Sequence, residues 1–180
     1  DRPGAIDKIV FGASVRAADL IVTRSGNDMF IDLGNGSDVV RIVGGLGSTS
    51  IEQYHFADGS VLTRDDLINR MLTGGASDEA IVGFDNRADL LSGGAGSDSL
   101  AGGTGNDSYR FGIGDGFDSV TDTGGVDKII FGAGVTRDEV RFSNVDGDLV
   151  IALATGTDTL VILGGYKANP VESFVFADGT

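Results

Sequence analysis

The sequence predicts an all-β fold of many short strands and tight turns, broken by one short helix. Three observations carry that prediction. Of the 180 residues 30 are glycine and two are proline, so turns are dense and long helices have little room. Aspartates recur at nine-residue spacing through the middle of the chain, each with an apolar residue two places later. A strand-like block near the start also returns near the end at a fixed displacement.

Taken in order, residues 1–62 read as a β-rich module. The runs Lys8-Ile9-Val10-Phe11, Leu20-Ile21-Val22, Met29-Phe30-Ile31, Val39-Val40-Arg41-Ile42-Val43 and Tyr54-His55-Phe56 have strand composition. Turn signals separate them at Ser25-Gly26-Asn27-Asp28, Gly34-Asn35-Gly36-Ser37 and Ala57-Asp58-Gly59. Residues 63–73 form the linking helix. Thr63 is placed to cap it, Asp65 and Asp66 suit the positive end of the helix dipole, and Asp66 and Arg70 stand one turn apart. Leu67, Ile68, Met71 and Leu72 give it an apolar face, and Gly74-Gly75 ends it. Its expected task is to cap an open end of the repeats that follow.

Residues 74–127 hold those repeats. Two nonapeptides of the form Gly-Gly-x-Gly-x-Asp-x-U-x, with U a large apolar residue, lie head to tail at Gly93–Ala101 and Gly102–Arg110. Asp89, Asp98 and Asp107 are nine apart, as are Asp118 and Asp127. The steps from Asp78 to Asp89 and from Asp107 to Asp118 are eleven, read as a unit with two residues inserted in its turn. The U positions are then Ala80, Leu91, Leu100, Tyr109, Val120 and Ile129. A flexible Gly/Ser/Asp linker has no need of two registers held together in this way.

Residues 128–180 repeat the first module. Asp7-Lys8-Ile9-Val10-Phe11-Gly12-Ala13 returns as Asp127-Lys128-Ile129-Ile130-Phe131-Gly132-Ala133, and Phe56-Ala57-Asp58-Gly59 as Phe176-Ala177-Asp178-Gly179. Both pairs are displaced by 120 residues, so the alignment needs no gap. Because Asp127 closes the repeats while opening the second module, Asp7 is expected to close an equivalent segment upstream, in a longer parent protein.

The repeat has a chemical consequence. Glycine turns accept positive φ and close approach, which leaves carbonyl oxygens exposed. Calcium takes six to eight oxygens, carbonyl and carboxylate alike. If successive strands alternate between two sheets, unit n stacks on unit n+2 and the carboxylates sort into two ladders: Asp78, Asp98 and Asp118 in one, Asp89, Asp107 and Asp127 in the other. Neighbours in a ladder would share an ion, giving at most four sites, with Asp115 and Asp122 as further ligands at the irregular end. From Thr73 to Asp127 ten acidic residues face two arginines, a net charge of −8 out of −14 for the chain. Such a segment should stay disordered until a cation offsets the repulsion, so that binding free energy becomes folding free energy.

Other chemistries are disfavoured. With no cysteine and one histidine, His55, the chain has no disulfide, thiolate zinc site, His-rich metal site or catalytic triad. A pI near 4.2 argues against nucleic acid. No run approaches the roughly 18 apolar residues of a membrane span. Gly112-x-Gly114-x-Gly116 lacks the spacing of a dinucleotide fingerprint, and no EF-hand loop is present. Composition leaves a glycosidase-type carboxylate pair open, but the repeat already accounts for these aspartates.

The nonapeptides resemble the RTX, or haemolysin-type, calcium-binding repeat. The flanking modules resemble the haemolysin-type calcium-binding-related domain, through Asp-Lys-Ile-Ile-Phe-Gly-Ala-Gly-Val and Phe-Ala-Asp-Gly. That resemblance implies a right-handed parallel β-roll, type I secretion from a Gram-negative bacterium, and folding outside the cell on Ca2+. By motif match it implies ligands at Gly93, Ala95, Gly96, Asp98, Gly102, Thr104, Gly105 and Asp107, with Gly94 and Gly103 beside them. Two turns depart from the pattern: Ala76 replaces the fourth-place glycine before Asp78, and Gly83–Asp89 lacks most glycines, which weakens the sites at Asp78 and Asp89. The expected function is a non-enzymatic calcium-binding module of a secreted protein. The alternatives are the accessory or targeting region of a secreted protease, lipase or polysaccharide-modifying enzyme, or an adhesin segment that meets a cell-surface polysaccharide.

Overall fold

The computed structural model describes residues 6–47, 51–165 and 171–179. The chain is mostly β with one short α-helix, and it divides into two compact units, Asp1–Met71 and Leu72–Thr180.

In the first unit β1 (Lys8–Val10), β2 (Ile21–Ser25), β3 (Asp28–Asp32), β4 (Val39–Ile42), β5 (Gln53–His55) and β6 (Val61–Thr63) precede α1 (Arg64–Met71). They form two three-stranded sheets, β1-β5-β6 and β2-β3-β4. β1 runs parallel to β5, and the remaining pairs are antiparallel. Alternation in β3 sends Met29 and Ile31 inward, where they are fully buried with Tyr54 and Leu67. Phe11 stacks on Phe56 with ring centroids 5.1 Å apart.

The helix begins where Thr63 predicts. Thr63 Oγ1 accepts from the Asp66 amide at 3.1 Å, and Asp66 Oδ2 accepts from the Thr63 amide at 2.8 Å. This is a reciprocal cap with aspartate in the place of the usual glutamate. The Thr63 hydroxyl and amide hold the Asp66 carboxyl below its ordinary pKa. The expected Asp66–Arg70 pair is put to other uses: Asp66 caps, and Arg70 donates to the Leu20 carbonyl at 3.4 Å. His55 Nε2 lies 2.9 Å from Gln53 Oε1 on the half-buried strand β5, a packing role.

The second unit begins with six short strands: β7 (Ala80–Val82), β8 (Leu90–Ser92), β9 (Ser99–Ala101), β10 (Ser108–Phe111), β11 (Phe117–Thr121) and β12 (Lys128–Phe131). Each pairs in parallel with the strand two places on, β7-β9-β11 in one sheet and β8-β10-β12 in the other. The antiparallel strands β13 (Val140–Val145), β14 (Asp148–Leu153) and β15 (Thr159–Ile162) extend the first sheet, β15 lying parallel to β11, while β16 (Ser173–Val175) extends the second beside β12. Between the sheets the U residues stack: Leu91, Leu100, Tyr109, Val120 and Ile129 are all fully buried.

The first repeat is displaced from the expected register by one residue. Ile81, not Ala80, pairs with Leu100 and is buried, while Ala80 faces solvent opposite Ser99. Glu79 therefore holds the ladder position assigned to Asp78. Sequence counting favoured Asp78 because it carries the aspartate. Burial decides otherwise, since a one-residue slip reverses every side chain and would place alanine instead of isoleucine in the core.

The duplication is preserved in detail. Lys8↔Gln53 and Lys128↔Ser173, Ile21↔Asp32 and Arg141↔Ala152, and Met29↔Ile42 and Leu149↔Ile162 are equivalent pairings. Asp7 N–H donates to Glu52 and Asp127 N–H to Glu172, both at 2.7 Å.

Candidate metal centre

The short strands bring the carboxylates to equivalent places at the ends of the turns. In one ladder Glu79 N–H donates to Asp98 Oδ1 at 2.7 Å, and Asp98 N–H to Asp118 Oδ1 at 3.0 Å. In the other, Asp89 N–H donates to Asp107 Oδ1 at 2.9 Å, and Asp107 N–H to Asp127 Oδ1 at 2.6 Å. Asp98, Asp118, Asp107 and Asp127 thus each receive, through one carboxylate oxygen, the backbone amide of the ladder residue two units earlier.

The second oxygen is a different matter. Asp98 Oδ2 and Asp107 Oδ2 are buried without any hydrogen-bond partner. A buried carboxylate oxygen with nothing to replace its water is costly. At the irregular turn before Asp89 the carboxylate is served from within the protein: Phe84 N–H donates to Oδ2 at 2.6 Å, and Arg87 Nε lies 3.2 Å from Oδ1. There the arginine supplies the positive charge.

The densest group is Asp107, Asp122 and Asp127, each offering an oxygen within 4.8 Å of the others. The buried Tyr109 hydroxyl donates to Asp122 Oδ2, and Asp122 Oδ1 accepts from Gly124 N–H at 2.9 Å. Burial, the Asp122 hydrogen bond and neighbouring charges raise the Tyr109 phenol pKa above its ordinary value, keeping it a donor. Burial also raises Asp107, opposed by the Asp89 amide and reinforced by the charges of Asp89 and Asp122. Burial first, then the Asp122, Asp107 and Glu172 charges, pushes Asp127 up to about 6. In the other ladder burial and the charges of Asp98 and Asp115 push Asp118 up to about 7. Asp115 is raised too, chiefly by burial, with Asp158 and Asp98 adding to it.

The glycines divide by role. Second-place Gly94 and Gly103 sit at φ 87° and 96°, and fourth-place Gly96 and Gly105 at φ 143° and 147°, backbone that side chains resist. First-place Gly93 and Gly102 do not have positive φ; their requirement is space. A Cβ on Gly102 would stand 2.5 Å from Asp107 Oδ2 and 2.6 Å from Asp122 Oδ2, and one on Gly93 would stand 2.7 Å from Asp98 Cγ. The turns stack through Ala95 N–H to Gly75 O, and Gly105 N–H to Gly124 O, both 2.9 Å. Thr104 accepts from Asn86 N–H through Oγ1 at 3.0 Å.

The remaining assigned carboxylates lie further out. Asp78 is exposed, with Ser97 N–H on Oδ1 at 2.8 Å, and Asp115 Oδ2 receives Gly112 N–H at 2.7 Å. Sequence reasoning missed Glu79, because it carries the wrong acid for the motif, and Asp85, which accepts from Thr104 at the irregular turn. The hidden partner of Asp122 is Tyr109, assigned only a packing role by its U position.

The donor set fits a calcium ion. All candidate ligands are oxygens, two of them are buried and unpartnered, and clearances at Gly93 and Gly102 are kept open around them. Asp107, Asp122 and Asp127 would hold one ion and Asp98, in the other ladder, would help to hold another, each ion supplying the charge that Arg87 supplies beside Asp89.

Comparison with known proteins agrees in kind. The model of the haemolysin-type calcium binding protein related domain matches residues 28–66 and 148–180. The two stretches begin 120 residues apart, so that model matches once in each copy of the duplicated module. No curated protein matches the chain. Among the described residues no helix is long and apolar enough to cross a membrane.

Proposed function

We propose that residues 74–127 form a calcium-binding, right-handed parallel β-roll of the RTX type, within a non-enzymatic module. The observation that carries this reading is the pair of buried, unpartnered oxygens, Asp98 Oδ2 and Asp107 Oδ2, in ladders otherwise closed by backbone amides. A divalent cation in each ladder meets that ladder's unpartnered oxygen, and the ions together offset part of the segment's charge of −8. The roll then folds when calcium is plentiful, which fits export in an unfolded state by type I secretion from a Gram-negative bacterium and folding outside the cell. The match to a haemolysin-type domain supports that setting. In a larger secreted protein the module would stiffen and present the part that carries the activity.

The test is calcium titration of chelator-treated protein, followed by circular dichroism and calorimetry. Calcium should convert the 74–127 segment to β structure with a dissociation constant of about 10⁻⁴–10⁻³ M, the range of extracellular calcium modules. Asp98→Asn and Asp107→Asn should each weaken binding tenfold or more, while Asp38→Asn leaves it unchanged. Equal weakening by all three would overturn the assignment.

A further inference from the structure

The duplication gives each face of the first unit a twin with known surroundings. In the second unit β12 lies between β16 and β10, and β15 between β14 and β11. Their counterparts β1 and β4 each have one neighbour, β5 and β3 respectively, among the described residues. Inward-facing Ile9, Val40 and Ile42 are only half-buried, whereas Ile129, Leu160 and Ile162 are buried beneath the roll.

The polar groups repeat the same contrast. Asp158 is buried and accepts, through Oδ1, Gly114 N–H at 3.1 Å and Gly116 N–H at 3.0 Å, while Thr155 Oγ1 holds Oδ2 at 2.6 Å. Asp38 is its exposed twin, held at Oδ2 by Asn35 Nδ2 at 2.7 Å, the same support from the same position. Asp127 Oδ1 accepts from the Asp107 amide, and Asp7 is its half-buried twin.

We infer that the free edges of β1 and β4, with Asp38 and Asp7, are a docking surface for the end of another glycine-rich nonapeptide roll. Its last two strands would run parallel to β1 and β4, as β10 and β11 run beside β12 and β15. Its Gly-x-Gly turn would donate to Asp38, as Gly114 and Gly116 donate to Asp158. The chain's own β10 and β11 cannot be the occupant, because both edges of each are already paired. The inference rests on the calcium-roll reading above, since the occupant is a roll of that kind.

The test fuses a second copy of residues 72–126 directly before Asp7 of the full chain, which recreates the Val126-Asp127 junction. Amide hydrogen exchange is then followed by NMR in calcium and in chelator. In the twin, Lys128 and Gly132 donate to Asp107 and Phe111, and Thr159 and Leu163 donate to Gly116 and Val120. Docking therefore predicts that Lys8, Gly12, Val39 and Val43 exchange at least tenfold more slowly in the fused chain with calcium than in the parent. A one-residue insertion before Asp7, which reverses the inward face, should remove that protection. Protection of Lys128, Gly132, Thr159 and Leu163 without any at Lys8, Gly12, Val39 and Val43 overturns the docking surface alone. Calcium-independent exchange at all eight positions overturns the calcium roll, and the docking inference with it.

Discussion

At the level of single residues the ladder carboxylates act in opposite senses with and without the ion. Asp107 lies buried between the charges of Asp89 and Asp122, and its Oδ2 has no partner. An asparagine there keeps an oxygen for the Asp89 amide and removes a charge. Asp107→Asn should therefore increase the segment's β content in chelator and lower its melting temperature in calcium, opposite effects that circular dichroism with and without the ion would reveal. A simple packing defect would lower both. Gly102 is the companion case. Its missing Cβ leaves room for Asp107 Oδ2 and Asp122 Oδ2, so Gly102→Ala should cost about 1–3 kcal/mol, the usual range for overpacking. Gly12→Ala, with nothing within 4 Å of the added carbon and no positive φ, should leave urea midpoints unchanged. The sequence announces the nonapeptide glycines as one motif. Only the placed carboxylates separate the clearance needed at Gly93 and Gly102 from the positive φ needed at Gly94, Gly96, Gly103 and Gly105.

Strands and turns show where sequence periodicity suffices and where it fails. From Leu91 to Ile129 the apolar period alone identifies the inward face, because the two perfect nonapeptides fix the phase. Before Asp89 the glycines thin out and two registers compete, one placing Asp78 and Ala80, the other Glu79 and Ile81. The motif favours the first, and burial of an isoleucine selects the second. Ile81→Ala should accordingly cost about 2–5 kcal/mol, the range for deleting a buried aliphatic side chain. Ala80→Ser, on the solvent face, should be nearly silent in the same chemical denaturation. The ladders also set a pH dependence. Folding raises Asp127 to about 6 and Asp118 to about 7, above an unfolded aspartate near 3.9. A raised carboxyl contributes its stability in full below the unfolded value and loses it as pH rises through the folded one. In chelator the segment's β content should therefore be highest near pH 4 and fall progressively towards pH 8, which circular dichroism would follow. Calcium needs the carboxylates ionised, so the loaded protein should show the opposite slope across pH 5–7.

On the scale of the whole molecule, one sequence motif is used twice under different conditions. Each copy of the module carries the same strand pairings, the same buried phenylalanine stack and the same Glu52- or Glu172-type amide cap. The second copy belongs to a unit that also contains the carboxylate ladders; the first belongs to a unit whose fully buried core is Met29, Ile31, Tyr54 and Leu67. Those residues carry no charge, so their burial needs no cation. The duplicate was legible from the sequence because a gapless displacement of 120 residues survives in the side chains. What the sequence leaves out is which strands lie beside each copy, β10 and β11 beside the second and none among the described residues beside β1 and β4 of the first on that side. Calorimetry of the intact chain should consequently resolve two transitions. The one assigned to residues 72–180 should rise with calcium by ligand linkage, about 2.7 kcal/mol of added stability at a hundredfold excess over the dissociation constant. The one assigned to residues 1–71 should stay where it is in chelator. Hydrogen exchange at Met29 and Ile31 against Leu100 and Val120 assigns the transitions independently. Equal calcium shifts at both pairs would mean that the ion's stabilisation extends beyond the ladders, and the division of labour between the two copies would fall.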